Sequence, residues 1–379
     1  MSLAELVQRK RVLVCVGSGG VGKTTTSAAI AMHAASTGKK ALVLTIDPAR
    51  RLANSLGLEE LGNEERLVPP EKFERAGVPL LGSLHAMMLD TKRTFDDLVT
   101  RHAPNAEARD KILGNQIYQH LSGTLAGSQE YMAMEKLHEV YRERDYDLVV
   151  LDTPPTVHAL DFLDAPKRLI NVLDTPILRN LPRVAGGFSK RAFFGSGLVL
   201  KQLGRFTGMT FFQSLAEFLG NFVEMFDGFK ERARLVYEGL QGDEVAFLLV
   251  TSASLVTIDE ALFFHEKLRA ARMPFAGFVI NQVHQSWGGC DDVGARELLE
   301  RLYEDRSIQT IPKESLQNVL LKLCRNLHES EVLASIDRDA ISRLRQAAGD
   351  GALCVEVPCF DHDIYDLRGL ALVASHLFR

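Results

Sequence analysis

The sequence predicts an α/β fold: a doubly wound, mostly parallel sheet of roughly seven or eight strands, with a helical subdomain inserted into it. Three observations predict it. Short apolar runs, of the kind buried on both faces of a parallel sheet, recur at Arg11 to Val16, Ala41 to Ile46, Ser83 to Leu89, Asp147 to Leu151, Val245 to Thr251, Phe275 to Ile280 and Leu353 to Val357. Segments of helical pattern lie between them. And Gly17-Ser18-Gly19-Gly20-Val21-Gly22-Lys23-Thr24, followed by Thr25 and Thr26, fits the phosphate-binding pattern G-x-x-x-x-G-K-[ST] at every fixed position, between the first run and the Ala-rich helix start at Ser27 to Ala35.

The glycines let backbone N–H groups curl around a triphosphate, and the following helix adds the positive end of its dipole. Lys23 is then expected on the β- and γ-phosphates of a nucleotide and Thr24 on magnesium. An ordinary glycine turn is the competing reading, and the strand–loop–helix context argues against it.

Composition bounds the rest. The chain has 379 residues, 46% hydrophobic and 25% charged, with a net charge of -5. This is the profile of a globular protein and gives no global reason to expect nucleic acid. The five cysteines form no C-x-x-C and read as reduced thiols of a cytosolic protein. Met1 to Lys10 has no apolar signal core, and no uncharged apolar run reaches membrane-spanning length. No internal repeat is visible, so the whole of residues 1–379 reads as one domain rather than two fused copies.

Along the chain, the run at Ala41 to Ile46 ends at Asp47, a carboxylate at a strand end on the ligand side of an open sheet. Leu58 to Pro79 is charged, contains three prolines and reads as a surface connection. Thr91 to Tyr141 is mostly helical in pattern, broken near Pro104 and around Gly123 to Gly127. Asp147 to Leu151 ends at Asp152, an apolar strand capped by the aspartate that a magnesium shell needs. Between Asn171 and Leu240 lie ten of the 20 phenylalanines, and Lys167 to Arg205 carries eight basic residues against one acid. Helical insertions are therefore expected at about residues 91–140 and 166–240. The second reads either as a subdomain with its own core or as a nucleotide-gated groove for apolar cargo or a membrane surface, rimmed by basic residues. Ile258 to Arg272 and Glu314 to Arg345 read as helices, and Leu370 to Phe378 as a closing helix.

Several of these stretches resemble one family. Gly19-Gly20-Val21-Gly22-Lys23-Thr24-Thr25 resembles the deviant Walker A loop of the phosphate-loop ATPases that include the ArsA-type anion-transporting ATPases, the tail-anchored-protein targeting ATPases and the MinD and ParA positioning proteins. Asp47-Pro48-Ala49 with Leu52 resembles switch I of the ArsA and targeting ATPases, and Asp152-Thr153-Pro154-Pro155-Thr156-Val157-His158 resembles their switch II. The resemblance implies ATP or ADP with Mg2+ as the cofactors, and that Pro155 and His158 belong to the switch, His158 passing nucleotide state to the helical subdomain. Val157 stands where a glycine is usual, which implies a stiffer switch. Gly127 to Glu130 resembles the segment before switch II, or is simply a helix start capped by Ser128. Val279-Ile280-Asn281-Gln282 resembles the adenine-recognition strand end, with Asn281 on the base edge, and Pro358 to Gly369 resembles the adenine loop.

Two departures matter. The family lysine before the two glycines, which reaches across a dimer, is Ser18, and the family's switch I aspartate is Asn54. An amide can orient water but cannot take its proton, so slow hydrolysis is expected. The resemblance, to the bacterial branch of the ArsA family, implies a homodimer or a heterodimer with a paralogue. It also implies a hydrophobic cargo or membrane-associated partner, and a cytoplasmic location, peripheral at the inner membrane where such a partner sits. No zinc is expected, because the dimer-bridging cysteine pair of the eukaryotic targeting ATPase is missing. Two other functions compete: a MinD- or ParA-like positioning ATPase, and a nucleotide-binding scaffold with negligible turnover.

Overall fold

The computed structural model describes residues 1–47, 51–116, 118, 119, 122, 128–154, 228, 231–288, 292–304, 310–349 and 351–379. Pro155, Val157, His158 and the Phe-rich stretch lie outside them.

Eight strands form one sheet: β1 Val12–Gly17, β2 Lys40–Thr45, β3 Arg66–Leu67, β4 Ser83–Met88, β5 Leu148–Asp152, β6 Val245–Ser252, β7 Phe275–Val283 and β8 Leu353–Pro358. Their order is β3-β4-β2-β5-β1-β6-β7-β8. Neighbours run parallel except β3, which is antiparallel to β4. The chain winds outward from β1 on one side, returns through β5, and winds outward on the other side from β6. The reversal falls at β1, so a crevice opens beyond its C-terminal end, where this class of sheet binds ligands.

The helices are α1 Leu3–Arg9, α2 Lys23–Ser36, α3 Arg51–Ser55, α4 Pro70–Ala76, α5 Thr91–His102, α6 Ala106–Leu113, α7 Ser128–Glu143, α8 Leu255–Ala270, α9 Asp292–Tyr303, α10 Lys313–Ala348 and α11 Leu367–Leu377. Residues 231–240 are also helical. Alternate residues of a strand face opposite sides of a sheet. Val12, Val14 and Val16 of β1 accordingly join one core, with Leu137 of α7, Phe264 of α8 and Ile341 of α10. Leu13 and Cys15 join the other, with Ile30 of α2 and Leu370 of α11. Because both faces are covered, the strands read in sequence as unbroken apolar runs. Leu98 and Val99 of α5 and Ile112 of α6 belong to the first core, so these helices share the sheet's own packing. No helix among the described residues is long and apolar enough to cross a membrane.

Three sequence expectations need correction. Leu58 to Pro79 is more than a connection: it holds β3 and α4 and buries Val68 and Phe73 completely. The prolines there start a helix instead of breaking one, since Pro70 takes the first helical position, where a missing N–H costs nothing. β7 runs past Ile280 to Val283, with an irregular register beyond Ile280 and Gln282 in the left-handed region at φ 59°. Not all thiols are reduced, since Cys324 on α10 is disulfide-bonded, while Cys15, Cys354 and Cys359 are free.

Candidate functional site

The phosphate loop leaves β1 at Gly17 and enters α2 at Lys23. Two of its glycines are required by geometry. A Cβ on Gly17 would overlap the Val250 carbonyl oxygen of β6, and Gly22, at φ 91°, would drive one into the Asn281 amide. Gly19 and Gly20 form the exposed tip, Val21 is buried, and Thr25 is half-buried. Lys23 is buried, and its Nζ donates to the Ser18 carbonyl at 2.6 Å. Burial lowers its pKa, and the nearby Arg51 guanidinium adds to that, while Asp152 and Asp47 act the other way.

Asp152 ends β5, fully buried, directly opposite Thr45 at the end of β2. Its Oδ2 accepts from the Thr24 hydroxyl at 2.7 Å and from the Thr45 hydroxyl at 2.9 Å. Its Oδ1 is buried and has no hydrogen-bond partner. Burial pushes the Asp152 carboxyl up to about 6, although both threonines and Lys23 pull it down. A buried carboxylate oxygen with no partner costs free energy unless something meets it. A hard cation suits it: Asp152 and Thr24 present two adjacent oxygens, the donor type magnesium takes. Among the described residues no group of three or more His, Cys, Asp or Glu side chains converges on a metal position. Magnesium is commonly held by one or two protein ligands with substrate phosphates and waters, and this donor set fits that habit.

Around this centre, Asp47 follows β2, half-buried, and its N–H donates to the Thr45 hydroxyl at 3.2 Å. Asn54 lies exposed on α3. Asn281 does reach the loop, but its side chain meets the loop backbone: Nδ2 donates to the Val21 carbonyl at 2.9 Å. Pro358 ends β8 and lines an open cavity of about 660 Å³ with Val283, His284 and Arg345. Asp366, expected at the end of an adenine loop, caps α11, its Oδ1 accepting from the Gly369 N–H at 2.8 Å. Lys23, Thr24, Asp47 and Asp152 therefore converge, Asn281 braces them, and Pro358 lies to the side.

Sequence reasoning assigned no contact to four residues here. Thr45 and Thr153 hold the carboxylate and its strand, Thr153 by donating to the Cys15 carbonyl at 2.9 Å. Cys15 lies beneath the loop, with burial pushing its thiol up to about 12. Glu260 of α8 accepts a hydrogen bond from the Ser18 hydroxyl. The polar ends of β2 and β5 were a usable signal for Thr45, but nothing local marks Glu260, 242 residues from its partner.

The anion-transporting ATPase family matches residues 10–311. The chain is 28% identical over 327 residues to the ATPase get3 of Aspergillus terreus, spanning 82% of this chain and 88% of that protein. It is 25% identical over 327 residues to the ATPase get3 of Aspergillus niger, spanning 82% and 87%. A strand–loop–helix cradle, a strand-end carboxylate and a match across most of the length coincide here, and the chain belongs to the anion-transporting ATPase family as an ATPase.

Proposed function

We propose that the protein binds Mg-ATP at this loop, hydrolyses it slowly as a homodimer or a heterodimer with a paralogue, and couples nucleotide state to its helical insertion. The insertion's cargo would be hydrophobic or a membrane-associated transport partner. The observation that carries the reading is the Thr24–Asp152 pair with its unmet carboxylate oxygen, beside the buried Lys23. Lys23 exchanges the Ser18 carbonyl for phosphate oxygens. Thr24 and Asp152 would hold magnesium, which would supply positive charge beside the phosphates. The loop N–H groups and the start of α2 bind and orient the anion. Asp47 and Asn54 would face the attacking water, where an amide can only orient it. Asn281 and Pro358 would meet the base, Asn281 through its amide oxygen or by releasing Val21.

Support for slow turnover is the chemistry of Ser18 and Asn54: neither supplies a cation or a base. Support for coupling is chain continuity, because Asp152 leads directly into residues 153–163 and the basic, Phe-rich stretch beyond. Calorimetry with Mg-ATP tests the nucleotide site. Binding that Lys23→Ala leaves unchanged ends this reading, and solution scattering that finds a monomer with both ATP and ADP ends the dimer. A scaffold with negligible turnover is the second reading, favoured by the hydrogen bond that ties Ser18 to Glu260 within one chain. Steady-state hydrolysis separates the two. A rate near the general enzyme median of about 10 per second would contradict both.

A further inference from the structure

We infer that Glu260 is a positioning residue for nucleotide binding: its carboxylate fixes Ser18, and with it the backbone of the phosphate loop that leads to Lys23. Ser18 is only 5% exposed and uses both of its side-chain and carbonyl groups. The hydroxyl donates to Glu260, and the carbonyl accepts from Lys23 Nζ at 2.6 Å. A continuous chain of polar contacts therefore runs from α8 to the ammonium that the phosphates must capture.

The helix at the far end of that chain is packed in place, with Glu260 itself on its exposed side. Thr251 donates its hydroxyl to the Thr257 carbonyl at 3.0 Å, and Thr257 returns a bond to the Ser252 carbonyl at 3.0 Å, which fixes how α8 leaves β6. Ile258, Ala261 and Phe264 on the helix's inner face are buried in the core. Asp259, next to Glu260, pairs with Arg343 of α10 at 2.7 Å. The loop itself lies against β6 at Gly17, where no Cβ fits. Ser18 is thus held between β6 and the Glu260 side chain of a packed helix.

A carboxylate is an odd neighbour for an anion site, because its charge opposes phosphate binding. Its benefit must come from geometry. A loop held in one conformation before ligand arrives loses less entropy on binding. Position and charge can be separated experimentally, since a glutamine in the same place still accepts from the Ser18 hydroxyl but carries no charge.

The inference rests on the reading of this loop as the nucleotide site. Wild-type protein that binds no Mg-ADP ends that reading. Wild type that binds while Glu260→Ala binds equally well ends only this inference. The experiment is a double-mutant cycle on the full chain, with Mg-ADP affinity from calorimetry and thermal unfolding of the nucleotide-free protein measured alongside. Ser18→Ala and Glu260→Ala are each expected to weaken binding roughly fivefold, with the double variant no weaker than either. Glu260→Gln is expected to bind at least as tightly as wild type, and all four variants to melt where wild type does. Losses that multiply in the double variant would overturn the inference. So would a Glu260→Gln protein as weak as Glu260→Ala, or affinity losses that merely track a lowered melting temperature.

Discussion

The two ends of the crevice are built differently. At the phosphate end, beyond β1, β2 and β5, polar groups are buried and interlocked: Asp152 is held by Thr24 and Thr45, and Lys23 by Ser18. At the β7–β8 end, polar groups are open. Asn281 is half-buried, His284 is exposed although its ring pairs with Asp337 at 2.9 Å, and Pro358 borders a solvent-facing cavity. Low dielectric strengthens each interaction at the first end and makes any unmet group costly there. Solvent weakens both effects at the second. The phosphate end should therefore carry most of the binding free energy and nearly all of its pH dependence, and the β7–β8 end should refine selectivity.

The strongest test of that contrast is removal of a buried charge. Lys23→Ala deletes the ammonium and its charge-assisted bonds to phosphate, each worth about 1.5–3 kcal/mol. Mg-ATP affinity should fall by about hundredfold or more in calorimetry. Asp152→Ala should fall comparably, and the loss should shrink when magnesium is omitted for both proteins. If Asn281→Ala costs as much as either, the contrast between the ends is wrong.

Acid should act on the phosphate end through Asp152. The Asp152 carboxyl is raised from 3.8 to about 6, so folding of the nucleotide-free protein favours proton uptake by this group between those two values. The sign follows: this group contributes stability at low pH that is lost as pH rises through about 6, and magnesium, which needs the carboxylate, gains over the same interval. Magnesium-dependent nucleotide affinity should fall by up to about tenfold per pH unit below 6. Thr45→Val removes one of the bonds that favour the carboxylate and should move that midpoint upward by roughly half a unit to one unit. A midpoint near 4 in the wild type, or none between pH 5 and 8, would contradict the burial argument.

The same division separates what was legible in sequence from what was not. β1, β2 and β5 were plain because burial on both faces makes each an unbroken apolar run, and Lys23, Thr24 and Asp152 were plain because phosphate chemistry fixes residue type at fixed spacing. β3 and α4 were hidden by Pro69 and Pro70, which mark a helix start as readily as a break. The end of β7 was hidden by Asn281 and Gln282, polar residues in a strand that bulges there. Thr45 was marked as the polar end of its strand, whereas Glu260 acts only through the tertiary fold, 242 residues from its partner. Local pattern cannot report such a pair.

The smallest expected effect lies at the β7–β8 end and depends on what Asn281 does without nucleotide. Its Nδ2 holds the Val21 carbonyl at 2.9 Å, while a Cβ on Gly22 would strike the same amide. The side chain is therefore packed against the loop backbone, and contact with a base would have to coexist with that bond or break it. Asn281→Ala removes one part-buried hydrogen bond, worth about 1 kcal/mol, and opens space beside Gly22. Mg-ATP affinity should weaken roughly fivefold. The informative comparison is Mg-GTP. If Asn281 reads the base edge, the variant loses ATP affinity and leaves GTP affinity unchanged, so the preference for ATP narrows. If Asn281 only braces the loop, both nucleotides weaken by the same factor and the preference persists. The second outcome would move Asn281 from the open end of the crevice to the buried one, and would leave the β7–β8 end to select the base by shape alone.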